Sequence, residues 1–401
     1  MRILQVIPYY LPSTGFGGPI TVLSSLIATL SLQKHTITVV TTDITENGGR
    51  IPISKEIIDG AEVIRFRNVF PTLAIHFSFY TPFSYFWYIK KEIKQFDVIH
   101  IHDFFTLQNV VTSMIAHREH IPVIIQPHGA AVPITSRGRV FIKTVFLSLF
   151  GKQMLRHAAA IVCISEDEKQ RIAAYLPDVT KKLIVIPNSV ALHPTYTATD
   201  KSNARKILGI HNNAIVIFTL SRLHKIKRID RIIRSFALLH KKQPNTLLLI
   251  AGPDAGEKNR LMKLMDSLHI AQSVRFVGGV YEKEKEHYFQ ASDVFVSLSN
   301  DDPFGLSVLE ALSHHLPVCI APSIGIARDI EAFGCGIITK HPDTASEVAR
   351  TLLHTYTKRA QYRSNIPQLF KHFDPEKTNS LYLSLYTKLT SYRMKPKNCA
   401  I

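Results

Sequence analysis

A repeated rhythm constrains this chain more than any other feature. Short runs of Val, Ile and Leu alternate with helical stretches, and the whole pattern runs twice. Strands are predicted at ILQVI (3–7), TITVVTT (36–42), VIRF (63–66), DVIHIH (97–102), VIIQP (123–127), AIVCIS (160–165) and LIVIP (183–187). Helical patterns lie between most of them, at 19–32, 84–95, 106–119, 139–157 and 166–175. Near-continuous apolar strands separated by helices specify a parallel sheet covered on both faces. Asn188 to Asn203, with Pro194 and a Thr/Ser-rich stretch, reads as a linker. The rhythm then restarts with strands at 214–220, 246–252, 274–278, 294–298 and 317–321 and helices at 228–242, 257–269, 282–291 and 305–315. The expectation is an α/β protein of two doubly wound, Rossmann-like domains facing a central cleft. Ligands of such sheets bind beyond the carboxyl ends of the strands.

The length of 401 residues fits two hydrophobic cores better than one. Charged residues make up 20%, ordinary for a globular chain, but the net charge of +17 is not. That excess is spread over both halves and points to an anionic partner: nucleotide phosphates, an acidic membrane surface or nucleic acid. Cys163, Cys319, Cys335 and Cys399 form no CxxC pair, so a reducing cytoplasm is expected. The opening MRILQVIPYY enters a strand directly, without the pattern of a secretory signal.

Val69 to Ile89 carries no Lys, Arg, Asp or Glu and approaches the length of a membrane span. Pro71, His76 and Pro82 make it a poor spanning helix. Its aromatic residues (Phe70, Phe77, Phe79, Tyr80, Phe83, Tyr85, Phe86, Trp87, Tyr88) suit either a membrane interface or a packed loop and helix. Arg137 to Arg156 mixes Phe141, Val145, Leu149 and Phe150 with Arg139, Lys143 and Lys152. It reads either as a basic amphipathic helix resting on acidic headgroups or as a core helix with a cationic outer face.

Three stretches offer chemistry. Gly15-Phe16-Gly17-Gly18 follows the first strand and opens a helix, where glycine and helix amides favour an anion. Ile20 occupies the third glycine position of a dinucleotide fingerprint, while Asp43 stands where a ribose-binding acid would, so a nicotinamide-linked dehydrogenase is one alternative. Ser221 to Arg228, SRLHKIKR, follows a strand and places cations at its carboxyl end. Cations fixed there would stabilise charge developing on a departing diphosphate, although Arg231 and Arg234 also allow a solvated basic helix. In Ser299 to Leu312, Asp302 and Glu310 lie eight apart across a glycine-containing turn into a helix. That arrangement supplies acceptors for hydroxyls and amides for phosphate, or simply an N-capping Asp and a surface Glu.

The last stretch resembles the E-x7-E motif of the large retaining glycosyltransferase family four, whose fold is GT-B. SRLHKIK is similar to that family's G/S-R-L-x-x-x-K element, and Gly17-Gly18, IVCIS, IPNSV, LLLIAGPD and VRFVG fall in matching order along nearly the whole chain. The resemblance implies an acceptor-side domain at 1–190, a linker at 191–204, a donor domain at 205–373 and a final helix at 374–392 that crosses back to the first domain. It implies that Arg222 and Lys227 hold the donor diphosphate, Glu310 the ribose hydroxyls and Asp302 the transferred sugar. It further implies backbone amides of Phe304, Gly305 and Leu306 at the sugar and phosphate, with Gly252 and Gly278 also at the donor. Gly17 and Gly18 would close from the other side, and His128 of Gln126-Pro127-His128-Gly129 would stand near the sugar. Two departures are Asp302, one methylene shorter than the usual Glu, and Arg228, where Gly is frequent.

The implied reaction moves a sugar from a UDP- or GDP-linked donor to a saccharide acceptor, polyprenyl-linked in the favoured case, with retention and with neither cofactor nor metal. His100, His102 and Asp103 share one strand end and raise a metal site as an alternative, which three clustered ligands rarely complete. His314-His315 reads as a partner of the helix dipole. A catalytically inactive nucleotide-binding subunit would carry the same motifs. No recognition module for nucleic acid is present, so nucleic acid is not an expected partner. The expected setting is cytoplasmic, with peripheral contact to an anionic membrane.

Overall fold

A computed structural model of the chain describes every residue except 14–16, 46–47, 73, 75–79, 133–139, 281 and 394–401. Gly15, Phe16, His76, Phe77, Phe79, Arg137, Arg139 and Cys399 therefore lie outside the described residues. The chain divides into two compact units, Met1–Asn188 with Pro375–Ile401, and Ser189–Asp374.

In the first unit, β1 (Arg2–Val6), β2 (Thr36–Thr42), β3 (Lys55–Ile58), β4 (Ala61–Phe66), β5 (Val98–His102), β6 (Val123–Gln126), β7 (Ala160–Cys163) and β8 (Leu183–Val185) form one sheet. Its order is β3-β4-β2-β1-β5-β6-β7-β8, parallel except for the edge pair β3–β4. The strand order reverses between β1 and β5, and such a switch point is where doubly wound sheets hold ligands. Alternate residues of β1 face opposite layers, as the strand period requires. Leu4 and Val6 join the core under α2 (Phe83–Glu92) and α3 (Leu107–Arg118). Ile3 joins the core under α1 (Gly18–Leu32) and the C-terminal helix Pro375–Arg393, whose Tyr382, Leu385 and Tyr386 are buried there.

No helix of the described residues is long and apolar enough to cross a membrane. The 69–89 segment instead starts the ten-residue α2, whose Tyr85 and Ile89 are buried while Trp87 is 77% exposed. The basic stretch forms α4 (Val140–Phe146), a wider turn over Leu147–Gly151, and α5 (Lys152–His157). Gly151 permits that turn, because a Cβ there would press on Leu147 and Phe104. Leu147, Met154 and Leu155 are buried, whereas Phe141 (81%) and Leu149 (62%) face solvent. The cationic face is thus accompanied by an apolar one, and the reading as a plain core helix fails for α4. After β7, α6 (Glu166–Tyr175) is capped by the Ser165 hydroxyl on the Glu168 amide.

The second unit begins with a difference from expectation. Thr197 and Asp200, part of the expected linker, form a reciprocal capping box that starts α7 (Ala198–Ile207). Strands β9 (Ile215–Leu220), β10 (Thr246–Ala251), β11 (Val274–Gly278), β12 (Val294–Ser297), β13 (Val318–Ile320) and β14 (Gly336–Ile338) form a parallel sheet ordered β11-β10-β9-β12-β13-β14. Its order reverses between β9 and β12. On one face Ile217, Leu248, Ile250, Val294 and Val296 pack against α8 (Ile229–Lys242), α9 (Lys258–Ser267) and α13 (Ala345–Thr357). Helices α10 (Glu282–Ala291), α11 (Leu306–Ser313), α12 (Ala327–Phe333) and α14 (Arg359–Phe370) complete the unit. The C-terminal helix, α15, belongs to the first unit.

Candidate active site

Both stretches that the sequence singles out in the second unit leave the sheet at its switch point. Ser221 to Lys227 follows β9, and Leu298 to Asp302 follows β12. Lys227 Nζ donates to Asp302 Oδ2 at 2.7 Å, in a pair about four-fifths removed from solvent. Asp302 Oδ1 accepts from the Gly305 amide at 2.8 Å and, more weakly, from the Phe304 amide at 3.4 Å. Burial alone would raise the Asp302 pKa; Lys227 and these amides outweigh it and hold the carboxyl below its ordinary value. The Asp302 backbone is fixed as well, through Asp302 N to Ser323 O and Gly325 N to Asp302 O.

These contacts qualify two expectations. The amides of Phe304 and Gly305, expected to meet the donor, are committed to Asp302, because the short carboxylate folds back on the helix start. The Phe304 side chain is buried against Phe373. Gly305 is the left-handed residue (φ 94°) that turns the chain into α11, and Leu306 begins the helix. Glu310, one turn further, accepts from Lys285 Nζ of α10 at 2.8 Å. Sequence reasoning missed Lys285, since a lysine in the charged run Glu282 to Glu286 carries no signal of its own.

Arg222 is exposed and has no acidic partner among the described residues. Its backbone is held by Gly252: a Cβ at that position would collide with the Ser221 carbonyl and press on the Arg222 amide. Gly278 differs, because a Cβ there meets nothing within 4 Å and only its φ of 80° favours glycine. Arg228 adopts φ 53°, which explains why glycine suits this position; its guanidinium donates to Asn300 Oδ1 at 3.0 Å and pairs with Asp343. Arg231 also pairs with Asp343, so Lys227, Arg228 and Arg231 are engaged, whereas Arg222 has no acidic partner among the described residues.

His314 corrects the dipole reading. Burial first, then neighbouring His193, depress it to about 3, so it is neutral at neutral pH. Its ring stacks on His193 and Phe289 and is hydrogen-bonded to the Tyr196 hydroxyl.

In the first unit, His128 follows β6 with φ 51°, and Gly129 follows with φ 79°. The Gly129 amide donates to Glu168 Oε1 at 2.6 Å, while Glu168 Oε2 accepts from the Ile164 amide at 2.8 Å. His128 Nε2 lies 3.2 Å from His102 Nδ1, and His102 Nε2 lies 2.9 Å from Gln5 Oε1. His100 and His102 thus spend ring nitrogens on hydrogen bonds, and no metal-holding group of three occurs among the described residues. Gly17 (φ 106°) caps α1, and Gly18 is its first residue. Asp43, the candidate ribose acid of a dehydrogenase, is taken by Arg50 at 2.5 Å and the Asn68 amide at 2.9 Å. Ile20 is buried in the core.

With this geometry established, comparison with known proteins is informative. Residues 16–193 match the model of glycosyltransferase family 4, and residues 200–369 that of the glycosyl transferases group 1. The α-monoglucosyldiacylglycerol synthase of Acholeplasma laidlawii is 26% identical over 58% of this chain and 61% of its own. The Streptococcus pneumoniae synthase of the same name is 27% identical over 65% of this chain and 60% of its own. These matches span about three-fifths of the length of either relative. Among solved structures, sucrose-phosphate synthase from Thermosynechococcus elongatus aligns with TM-score 0.75 at 17% identity, covering 98% of this chain and 99% of that one. Anabaena Alr3699/HepE in complex with UDP and glucose aligns at 0.73 and 18%, covering 96% and 99%. Fold and sequence together define a glycosyltransferase of the GT-B type. The chain belongs to glycosyltransferase family four.

Proposed function

We propose that this enzyme transfers a sugar from a UDP- or GDP-linked donor to a hydroxyl of a saccharide acceptor, with retention and without a metal ion. The observation that carries the reading is the Lys227–Asp302 pair at the switch point of the second sheet, beside the start of α11, with Arg222 on the same strand-end stretch and without an acidic partner among the described residues. A departing nucleoside diphosphate gains negative charge as the glycosidic bond breaks. Arg222 and Lys227, fixed before that charge appears, stabilise the transition state more than the ground state. They supply the electrostatics that a metal supplies elsewhere. The Leu306 amide at the helix start adds a donor for phosphate.

Asp302 uses three acceptor positions on Lys227 and two amides, and a carboxylate offers about four. The remaining one meets a hydroxyl of the transferred sugar. Glu310 takes the ribose hydroxyls, with Lys285 holding it in place until they arrive. On the first unit, His128 and the Gly17-Gly18 turn serve the sugar and acceptor. No nucleophile is assigned; the acceptor hydroxyl attacks on the face that the diphosphate leaves. The test is a panel of UDP- and GDP-sugars scored for nucleoside diphosphate release, with and without a crude lipid-linked acceptor. Release from none of them, with acceptor present, overturns the proposal.

We assign a polyprenyl-linked saccharide as acceptor and a peripheral place on the cytoplasmic membrane face. Support comes from the exposed Phe141, Ile142, Val145 and Leu149 beside Lys143 and Lys152, with Phe83 and Trp87 exposed on α2 in the same layer. Apolar residues rimmed by lysines suit an anionic lipid surface. The similar synthases are named for a diacylglycerol lipid, which supports the membrane-borne half of this assignment. Vesicles rich in anionic lipid are expected to co-sediment the protein at low salt, and Phe141→Ser with Leu149→Ser to abolish this. Equal binding to neutral vesicles would remove the electrostatic half of the argument.

A further inference from the structure

The buried polar groups of the first unit form a chain with a direction. Gln5 on β1 and His100 and His102 on β5 point to the layer that holds α15, and all three are fully or almost fully buried. Gln5 Nε2 donates to the Tyr386 hydroxyl oxygen at 3.2 Å, and that hydroxyl lies 2.7 Å from His100 Nδ1. With its amide nitrogen so committed, Gln5 offers His102 only a carbonyl oxygen, so His102 Nε2 carries the proton in their 2.9 Å contact. A neutral His102 then has a bare Nδ1, which accepts from His128 Nε2–H at 3.2 Å. Burial depresses His100 and His128 to about 3 and His102 well below its ordinary value, so each ring carries one proton.

We propose that the chain His128→His102→Gln5→Tyr386→His100 fixes the tautomer of His128, leaving its Nδ1 bare to accept a hydrogen bond from a substrate hydroxyl. Gln5, His102 and Tyr386 are positioning residues, and the C-terminal helix is part of the site because it supplies Tyr386. The backbone supports this: His128 sits in the left-handed region, a state that persists only where its surroundings fix it, and Glu168 holds the following amide. The inference rests on the proposed function only for what His128 touches; its tautomer is a separate matter.

The test uses the full chain labelled with 15N-histidine, its ring signals assigned through His102→Gln and His128→Gln. Two-bond proton–nitrogen spectra at pH 7.5 are expected to show His102 and His128 both protonated on Nε2 and bare on Nδ1. A proton on Nδ1 of His128 overturns the proposal. Tyr386→Phe keeps the ring and removes both hydrogen bonds of the hydroxyl. It is expected to mix the His128 tautomers and lower kcat by on the order of tenfold, with KM for the donor unchanged and Tm shifted by only a few degrees. An unchanged tautomer and unchanged kcat overturn the role of Tyr386; a mixed tautomer with unchanged kcat overturns its catalytic consequence. If His128→Ala retains full turnover, the assignment of His128 to substrate falls while the tautomer result stands.

Discussion

At their switch points the two sheets are built from different materials. At the first, Gln5, His100, His102 and His128 are neutral groups that hydrogen-bond to one another. At the second, Lys227, Asp302, Lys285 and Glu310 are charges in two close pairs, with Arg222 lacking an acidic partner among the described residues. Neutral donors and acceptors in a buried row recognise hydroxyls and set direction. Fixed charges answer a charge that changes during reaction. On the proposed function the contrast divides the labour: diphosphate departure falls to the second unit, and hydroxyl recognition to the first. Similar doubly wound topologies acquire these different chemistries from a few residues beyond their strand ends.

The sharpest way to break this division is Arg222→Ala. The side chain is exposed and unpaired among the described residues, so its removal leaves no buried partner and the fold survives. Turnover should fall by about a hundredfold, the effect of losing one oriented donor to a developing anion. Steady-state kinetics with the best donor, together with a thermal melt, measure both halves. Near-normal turnover would put the departing charge elsewhere.

Acid should separate the two ends next. An unfolded histidine takes up a proton near 6.5, whereas His100 and His128 do so only near 3. Between those values the unfolded chain binds protons that the folded first unit does not, so the first unit loses stability as pH falls through that window. The slope reaches about 1.4 kcal/mol per pH unit for each such histidine. Asp302, depressed below the 3.8 of a free aspartate, contributes stability above that value and loses it only as pH falls further. In the second unit His314 alone shows an equally deep depression among the described residues. Hydrogen exchange at pH 7.5 and 5.0, corrected for intrinsic rates, should show β1, β5, β6 and α15 opening before β9, β12 and α11. The reverse order would sink the comparison.

The two ends also differed in how much their sequence disclosed. Lys227 and Asp302 were legible because each follows an apolar strand and each belongs to a recognisable short pattern. Lys285 was not, since only the fold brings it to Glu310. His100 and His102 raised a metal site as an alternative and gave no sign of the hydrogen-bond chain, because Tyr386 stands 381 residues from Gln5 and no local pattern joins them. The amides of Phe304 and Gly305 were expected at the sugar and phosphate of the donor, and both donate to the shorter acid at Asp302. Among the elements, β3 escaped because Lys55-Glu56-Ile57-Ile58 is a short, half-polar edge strand. The start of α7 was hidden in a Thr/Ser-rich stretch whose Thr197 and Asp200 are cap residues. The two doubly wound units, by contrast, were written in the strand–helix rhythm itself, and the resemblance to family four added GT-B.

The smallest expected effect concerns Arg228, which borders the charged end without belonging to it. Its left-handed backbone costs roughly 1–2 kcal/mol for a residue with a Cβ, and glycine would remove that cost. Against this, Arg228→Gly loses a hydrogen bond to Asn300 and weak pairings with Asp230 and Asp343, the latter well exposed. At 3.6 and 3.5 Å both pairings are long, and each such contact contributes on the order of 1 kcal/mol or less. Arg231 remains on Asp343 in any case. The balance favours a variant that is as stable as the parent or slightly more so, with turnover within about twofold, because Lys227 keeps its bond to Asp302. A urea titration gives the stability change and the donor assay gives the rate. A large drop in turnover with unchanged stability would mean that Arg228 itself reaches the diphosphate, and the cations at this strand end would then have to be counted as three.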